Sequence, residues 1–254
     1  MANQPLWASG SAEILKHGLE LLKKDTDSNR RLAMISIDNA VELMIKTYLG
    51  LPKRVTGLNI SRSEYQEFAE NFTKLLDALE KYANTKLDGV DLGEIEWFHR
   101  LRNQLYHQGN GLTVERDKVE VYAELSNVLF KNLFGFRLVE PESSDAALLG
   151  EFMQAWVNFE KLLTDVVSMP QFEDTRTSGR VVMPMRTIDM LQKEGYLSPV
   201  QLDEITKIRN IRNKIVHGAV NYKDVLELET IKRLISITNE LQKYMQAKRS
   251  GETS

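Results

Sequence analysis

The feature that most constrains the fold is an internal repeat. Residues 90–107 align without a gap on residues 200–217, with identity at seven of 18 positions: Val90/Val200, Leu92/Leu202, Glu94/Glu204, Ile95/Ile205, Arg102/Arg212, Asn103/Asn213 and His107/His217. The apolar stripe coincides too, because Leu92, Ile95, Phe98, Leu101 and Leu105 fall opposite Leu202, Ile205, Ile208, Ile211 and Ile215. That three-and-four spacing marks the buried face of a helix. Asp88 stands where Ser198 does, and Ser198-Pro199-Val200-Gln201 reads as a capping box with proline at the first helical position. Upstream, Leu76–Lys81 resembles Ile188–Lys193 at a slightly different offset. A duplicated helical unit is expected, and 254 residues are enough for two ordinary cores.

Helical periodicity extends over the rest of the chain. It predicts helices over Ala12–Leu22 and Leu32–Leu49, a basic connection from Pro52 to Arg62, and one helix from a Ser61/Glu64 capping box to Ala83. Further helices are expected from Asp88 to His107, stopped by Gly109 and Gly111, and from Arg116 to Phe134. After a polar Val139–Asp145 linker come Ala146–Val167, a loop over Met169–Pro184, and helices at Met185–Glu194, Pro199–His217 and Lys223–Ala247. With 14 Gly, 6 Pro and 42% apolar residues the composition suits packed helices rather than disorder or a many-turned β-protein. The expected organisation is an all-α fold with one helical domain over 1–138, a linker over 139–145 and a second domain over 146–254.

Composition also narrows the chemistry. The chain has no cysteine, which removes disulfides, thiolate metal sites and Cys nucleophiles. No apolar run reaches the roughly 20 residues that cross a bilayer, and Met1–Gly10 lacks the layout of a secretory signal, so a cytoplasmic protein with no membrane contact is expected. A net charge of −3 gives no global basic field, which leaves only local patches to hold a polyanion. Gly-rich phosphate loops, Gly-x-Ser-x-Gly elbows and His-Glu-x-x-His pairs do not occur, and neither a cofactor nor a metal ion is expected.

Two of the four histidines, His107 and His217, occupy equivalent places in the repeat, each four residues after an Asn and five after an Arg. A four-residue step puts Asn103 and His107, or Asn213 and His217, on one helix face, whereas each Arg lies about 140° away from its His. Arg102 falls within the apolar stripe, where an unpaired guanidinium would be very costly. Glu42 is the candidate carboxylate in the first unit and Glu160 the corresponding acid in the second. Across Trp97–His107 and Lys207–His217 there is no Asp or Glu, and Arg100, Lys207, Arg209 and Lys214 join the motif arginines as candidate cations for a polyanion. Basic residues also mark the loops after the acid-bearing helices, Lys53, Arg54 and Arg62 in one and Arg176, Arg180 and Arg186 in the other.

The segments Arg102-Asn103-Gln104-Leu105-Tyr106-His107 and Arg212-Asn213-Lys214-Ile215-Val216-His217 resemble the Arg-polar-x-x-x-His signature of the HEPN superfamily of nucleotide-binding helical domains. The resemblance is specific at these motifs and covers, through helix order, most of residues 10–135 and 146–247. It implies up-and-down helical bundles that pair so that two motifs face one cleft. In this chain the two units would pack as an intramolecular pseudo-dimer, alone or within a higher homo-oligomer. It further implies a metal-independent endoribonuclease of a toxin, phage-defence or RNA-processing system, with RNA as substrate and a regulatory or antitoxin protein as partner. The subgroup that carries Tyr two residues after the His is not matched, since Gly109 and Ala219 stand there.

The chemistry is self-consistent. Cleaving RNA without metal needs a base for the 2′-hydroxyl, an acid for the departing 5′-oxygen and a cation for the phosphorane. Arg102, Asn103, His107, Arg212, Asn213 and His217 would supply all three as one composite site. The alternative of a different class is a non-catalytic HEPN module that binds RNA or nucleotide, or scaffolds a partner protein.

Overall fold

The computed structural model describes residues 6–107, 113–136, 138, 144–167 and 184–249, among which every regular element is a helix. Residues 139–143 of the expected linker, residues 169–183 of the expected loop, and Gly109 and Gly111 lie outside the described residues, as do Arg176, Arg180 and the side chain of Arg186.

The first unit begins with α1 (Ser9–Lys24) and α2 (Asp27–Gly50), where the Thr26 hydroxyl caps α2 by accepting from the Asn29 amide. A short α3 (Lys53–Thr56) leads to α4 (Arg62–Ala69), started by the Ser61/Glu64 capping box, and α5 (Phe72–Ala83). The single helix expected over Ser61–Ala83 is thus two. Asn71 breaks it, because its side chain accepts from the Lys74 amide and starts a new helix. α6 (Leu92–His107) and α7 (Arg116–Phe134) complete the unit. The second unit comprises α8 (Ser144–Val167), α9 (Pro184–Lys193), α10 (Pro199–Val216), α11 (Tyr222–Val225) and α12 (Leu228–Arg249). The helix expected over Lys223–Ala247 is interrupted between α11 and α12.

The two motif helices start differently. Ser198 caps α10 through the expected box with Gln201. In the first copy Asp88 does not cap. A turn follows it at Gly89, whose φ of 74° suits glycine, and α6 begins three residues later, with Asp91 accepting from the Gly93 amide.

Packing follows the repeat within each unit. α2 is the centre of the first, touched by α1, α5, α6 and α7; α8 holds that place in the second, against α9 and α12, with α10 resting on both. The buried apolar side chains of both units form one connected cluster. The junction is one-sided. α7 packs on α2 and also on α8 and α10, and it buries residues all round, Glu120, Glu124, Ser126 and Asn127 as well as Val119, Tyr122, Leu125 and Phe130. Its counterpart α12 buries a single stripe, Ile231, Leu234, Ile237, Leu241 and Met245. α7 therefore meets elements of both units, whereas the main contacts of α12 lie on α8 and α10 of its own. No helix among the described residues is long and apolar enough to cross a membrane.

Candidate functional site

The first motif is organised around Asp38, a fully buried acid on α2. Its Oδ1 accepts from the Tyr122 hydroxyl at 2.8 Å, while Oδ2 lies 2.9 Å from His99 Nδ1 and 3.4 Å from Arg102 Nε. A buried carboxylate needs such partners to offset lost hydration. Burial first, and then the Asp38 charge, push the Tyr122 phenol well above its ordinary range, so it stays a donor. His99 stacks on Phe72 with ring centroids 3.7 Å apart, which fixes the plane of the imidazole.

Arg102 turns its ends outward from this hub. Nη1 donates to Asn103 Oδ1 at 2.9 Å, Nη2 donates to Asn39 Oδ1 at 2.6 Å, and the guanidinium lies 5.3 Å from the centre of the Tyr106 ring. Two of its five N–H groups are spent on amides and one faces Asp38, which leaves two for an anion. Tyr106 in turn meets His107 edge-on at 5.2 Å, and both are exposed at the end of α6. Asp38 rather than Glu42 is thus the acid beside Arg102. Glu42 pairs with Lys46, one turn along its own helix.

The second motif is built for something else. Arg212 is 4% exposed, and its Nη1 donates to Glu94 of α6 in a close ion pair. Nη2 donates to the Gly89 carbonyl at 3.3 Å, and the guanidinium lies over Trp156 at 5.9 Å. Glu160, the expected partner, accepts instead from the Gly89 amide and from Trp156 Nε1, each at 2.7 Å. Gly89 thus ties both residues at the junction, and a Cβ there would come within 2.1 Å of Val157 Cγ2. Burial pushes the Glu94 carboxyl up to about 7; Arg212 opposes this, while Asp91 and Glu160 add to it. Burial raises Glu160 as well, so one cation shares its pocket with two reluctant acids.

His217 caps α10, its amide donating to the Asn213 carbonyl at 3.0 Å, and its exposed ring meets Trp97 at 6.5 Å. Trp97 stands ten residues before His107 on one helix, about 15 Å along its axis. Arg212 closes on Glu94 at the junction and Arg102 on Asp38, so the two motif arginines serve separate clusters. The repeat accounts for the difference. When Glu42 is paired with Glu160, Asp38 and Asn39 correspond to Trp156 and Val157; in the motif helices His99 and Tyr106 correspond to Arg209 and Val216. The second copy keeps the Arg and Asn of the motif but lacks the acid, the amide and the histidine that surround them in the first.

Of the candidate cations, Lys207 pairs with Asp203 at 2.6 Å and Arg100 approaches Glu96 at 3.8 Å. Each acid lies one turn upstream of its cation and outside the acid-free window, so the charge segregation along the sequence is partly undone on the helix surface. Lys214 is exposed and Arg209 half-buried.

Sequence reasoning missed Asp38, Asn39 and His99. A signal existed for Asp38, which falls on the buried Met34, Val41 and Ile45 stripe, and for His99, which precedes Asn103 by one turn. No family model, curated protein or solved structure matches the chain.

Proposed function

We propose that the chain is a tandem HEPN-like protein that acts on RNA at the first motif only, cleaving it by the metal-independent 2′-hydroxyl route. The observation that supports this most is the Asp38 hub. It holds a histidine and an arginine on the same carboxylate oxygen, within about 6 Å of one another by the two contact lengths, and the bonds of Arg102 to the two amides leave two of its N–H groups unspent. Asp38 orients His99 through Nδ1 and leaves Nε2 to take the 2′-hydroxyl proton. The 2′-oxygen then bonds to phosphorus, Arg102 stabilises the phosphorane charge, and the bond to the 5′-oxygen breaks. Water returns a proton to that oxygen, because His107 stands eight residues beyond His99, about 12 Å along α6. A 2′,3′-cyclic phosphate and a free 5′-hydroxyl result.

The test is incubation of the purified protein with mixed RNAs and with matched DNA in excess chelator. RNA fragments with cyclic phosphate ends and intact DNA are expected. Activity that vanishes in chelator and returns with magnesium overturns the mechanism. A second reading, an RNA-binding or scaffolding module without catalysis, is favoured by the burial of Arg212, which leaves a single open motif. Binding without cleavage would select it.

A further inference from the structure

Tyr106 is 61% exposed, although its counterpart Val216 is fully buried and serves the helix core. The repeat position therefore does not call for an aromatic ring, and in the first copy that ring faces solvent beside Arg102 and His107. The amides next to it are oriented by charge. A guanidinium can only donate, so Asn39 and Asn103 must turn their oxygens to Arg102, as they do at 2.6 Å and 2.9 Å. Each amide nitrogen is then directed away from Arg102, and exposed Asn39 offers solvent donors rather than acceptors. A flat ring beside fixed donors and a cation matches a nucleobase whose edge carries carbonyl oxygens, joined to a phosphate.

We infer that Tyr106 and Asn39 form a nucleobase subsite beside Arg102, in which Tyr106 stacks the base and Asn39 donates to its carbonyl edge, favouring uracil over adenine. This rests on the reading that the first motif handles RNA. Adenine's Watson–Crick edge sets the single acceptor N1 beside an amino donor, whereas uracil carries two carbonyl oxygens, so the two amide hydrogens of Asn39 find more acceptors on uracil.

The test is fluorescence anisotropy of the full chain with labelled 2′-O-methyl octauridylate and octaadenylate, which the 2′-hydroxyl route cannot cleave. Tighter binding of the uridylate is expected. Tyr106→Ala should weaken it about ten-fold, the usual loss of one base stack, while Tyr106→Phe retains it. Asn39→Ala, with helicity confirmed, should erase the preference for uridylate. If Arg102→Ala abolishes binding but Tyr106→Ala stays within about two-fold of wild type, or if Asn39→Ala keeps the preference, the subsite is refuted and the RNA reading stands. If the wild-type chain binds neither oligonucleotide, both fall.

Discussion

Arg212 crosses from the second helical unit to close on Glu94 of the first, whereas Arg102, its counterpart in the repeat, pairs with Asp38 inside its own unit. The reciprocal pair does not form: Glu204, the counterpart of Glu94, binds Arg233 of α12 at 2.7 Å. Two copies of one motif have thus been put to different uses, one facing solvent and one fastening the units together. The cause is local, in Gly89 where the second copy has Pro199 and in Trp156 where the first has Asp38.

The fastening predicts a stability pattern. Arg212→Ala leaves Glu94 buried beside Glu160 with no cation, and loss of one partner of a buried pair costs about 3–5 kcal/mol. Replacing both residues, as Glu94→Leu with Arg212→Met, removes the charges together and should recover most of that loss. Glu160 keeps its bonds to Gly89 and Trp156 in both variants. Urea unfolding of the two variants against wild type checks this; equal loss in single and double would refute the buried-charge account.

The same pocket predicts a pH dependence with a definite sign. The Glu94 carboxyl titrates at about 7 when folded against an ordinary value of 4.5, so between these values the folded chain binds more protons than the unfolded one. Its stabilising contribution is fully present below about 4.5 and is lost as pH rises through 7. The melting temperature should fall between about pH 5 and about pH 8, and Glu94→Gln should flatten that fall. A slope unchanged in Glu94→Gln would assign the effect to other groups.

Much of the fold was legible because helical periodicity and capping chemistry are local. The Ser61/Glu64 and Ser198/Gln201 boxes formed as read, and α6 and α10 end at the motif histidines. The site was legible only in part. Arg102 demanded a buried acid, but Asp38 and Glu42 stand one turn apart on α2, and choosing between them needed the position of Tyr122, 84 residues away. Nor does a repeat reveal when its copies diverge in use, because Arg212 looks identical to Arg102 until Gly89 and Trp156 are seen against it.

That divergence sets the last prediction, on whether the two motif histidines contribute equally to the proposed RNA cleavage. A composite site would lose most activity with either single change, and its double variant would be little worse. The observed arrangement gives a different pattern. His217 rests on Trp97, and the arginine of its motif is spent on Glu94, so His217→Ala should retain activity within about two-fold of wild type. His99→Ala should lose about 100-fold or more, the range for removing a group that transfers a proton in the transition state, whereas His107→Ala, which removes the ring beside Tyr106, should lose about ten-fold. Asp38→Asn should behave as a positioning change, keeping substrate affinity while lowering kcat and altering the pH profile, because the His99 ring loses its charged partner. Rates on a single RNA substrate, with helicity checked for every variant, decide the matter. Equal and severe losses in His107→Ala and His217→Ala would restore the two-motif site and refute the one-motif assignment.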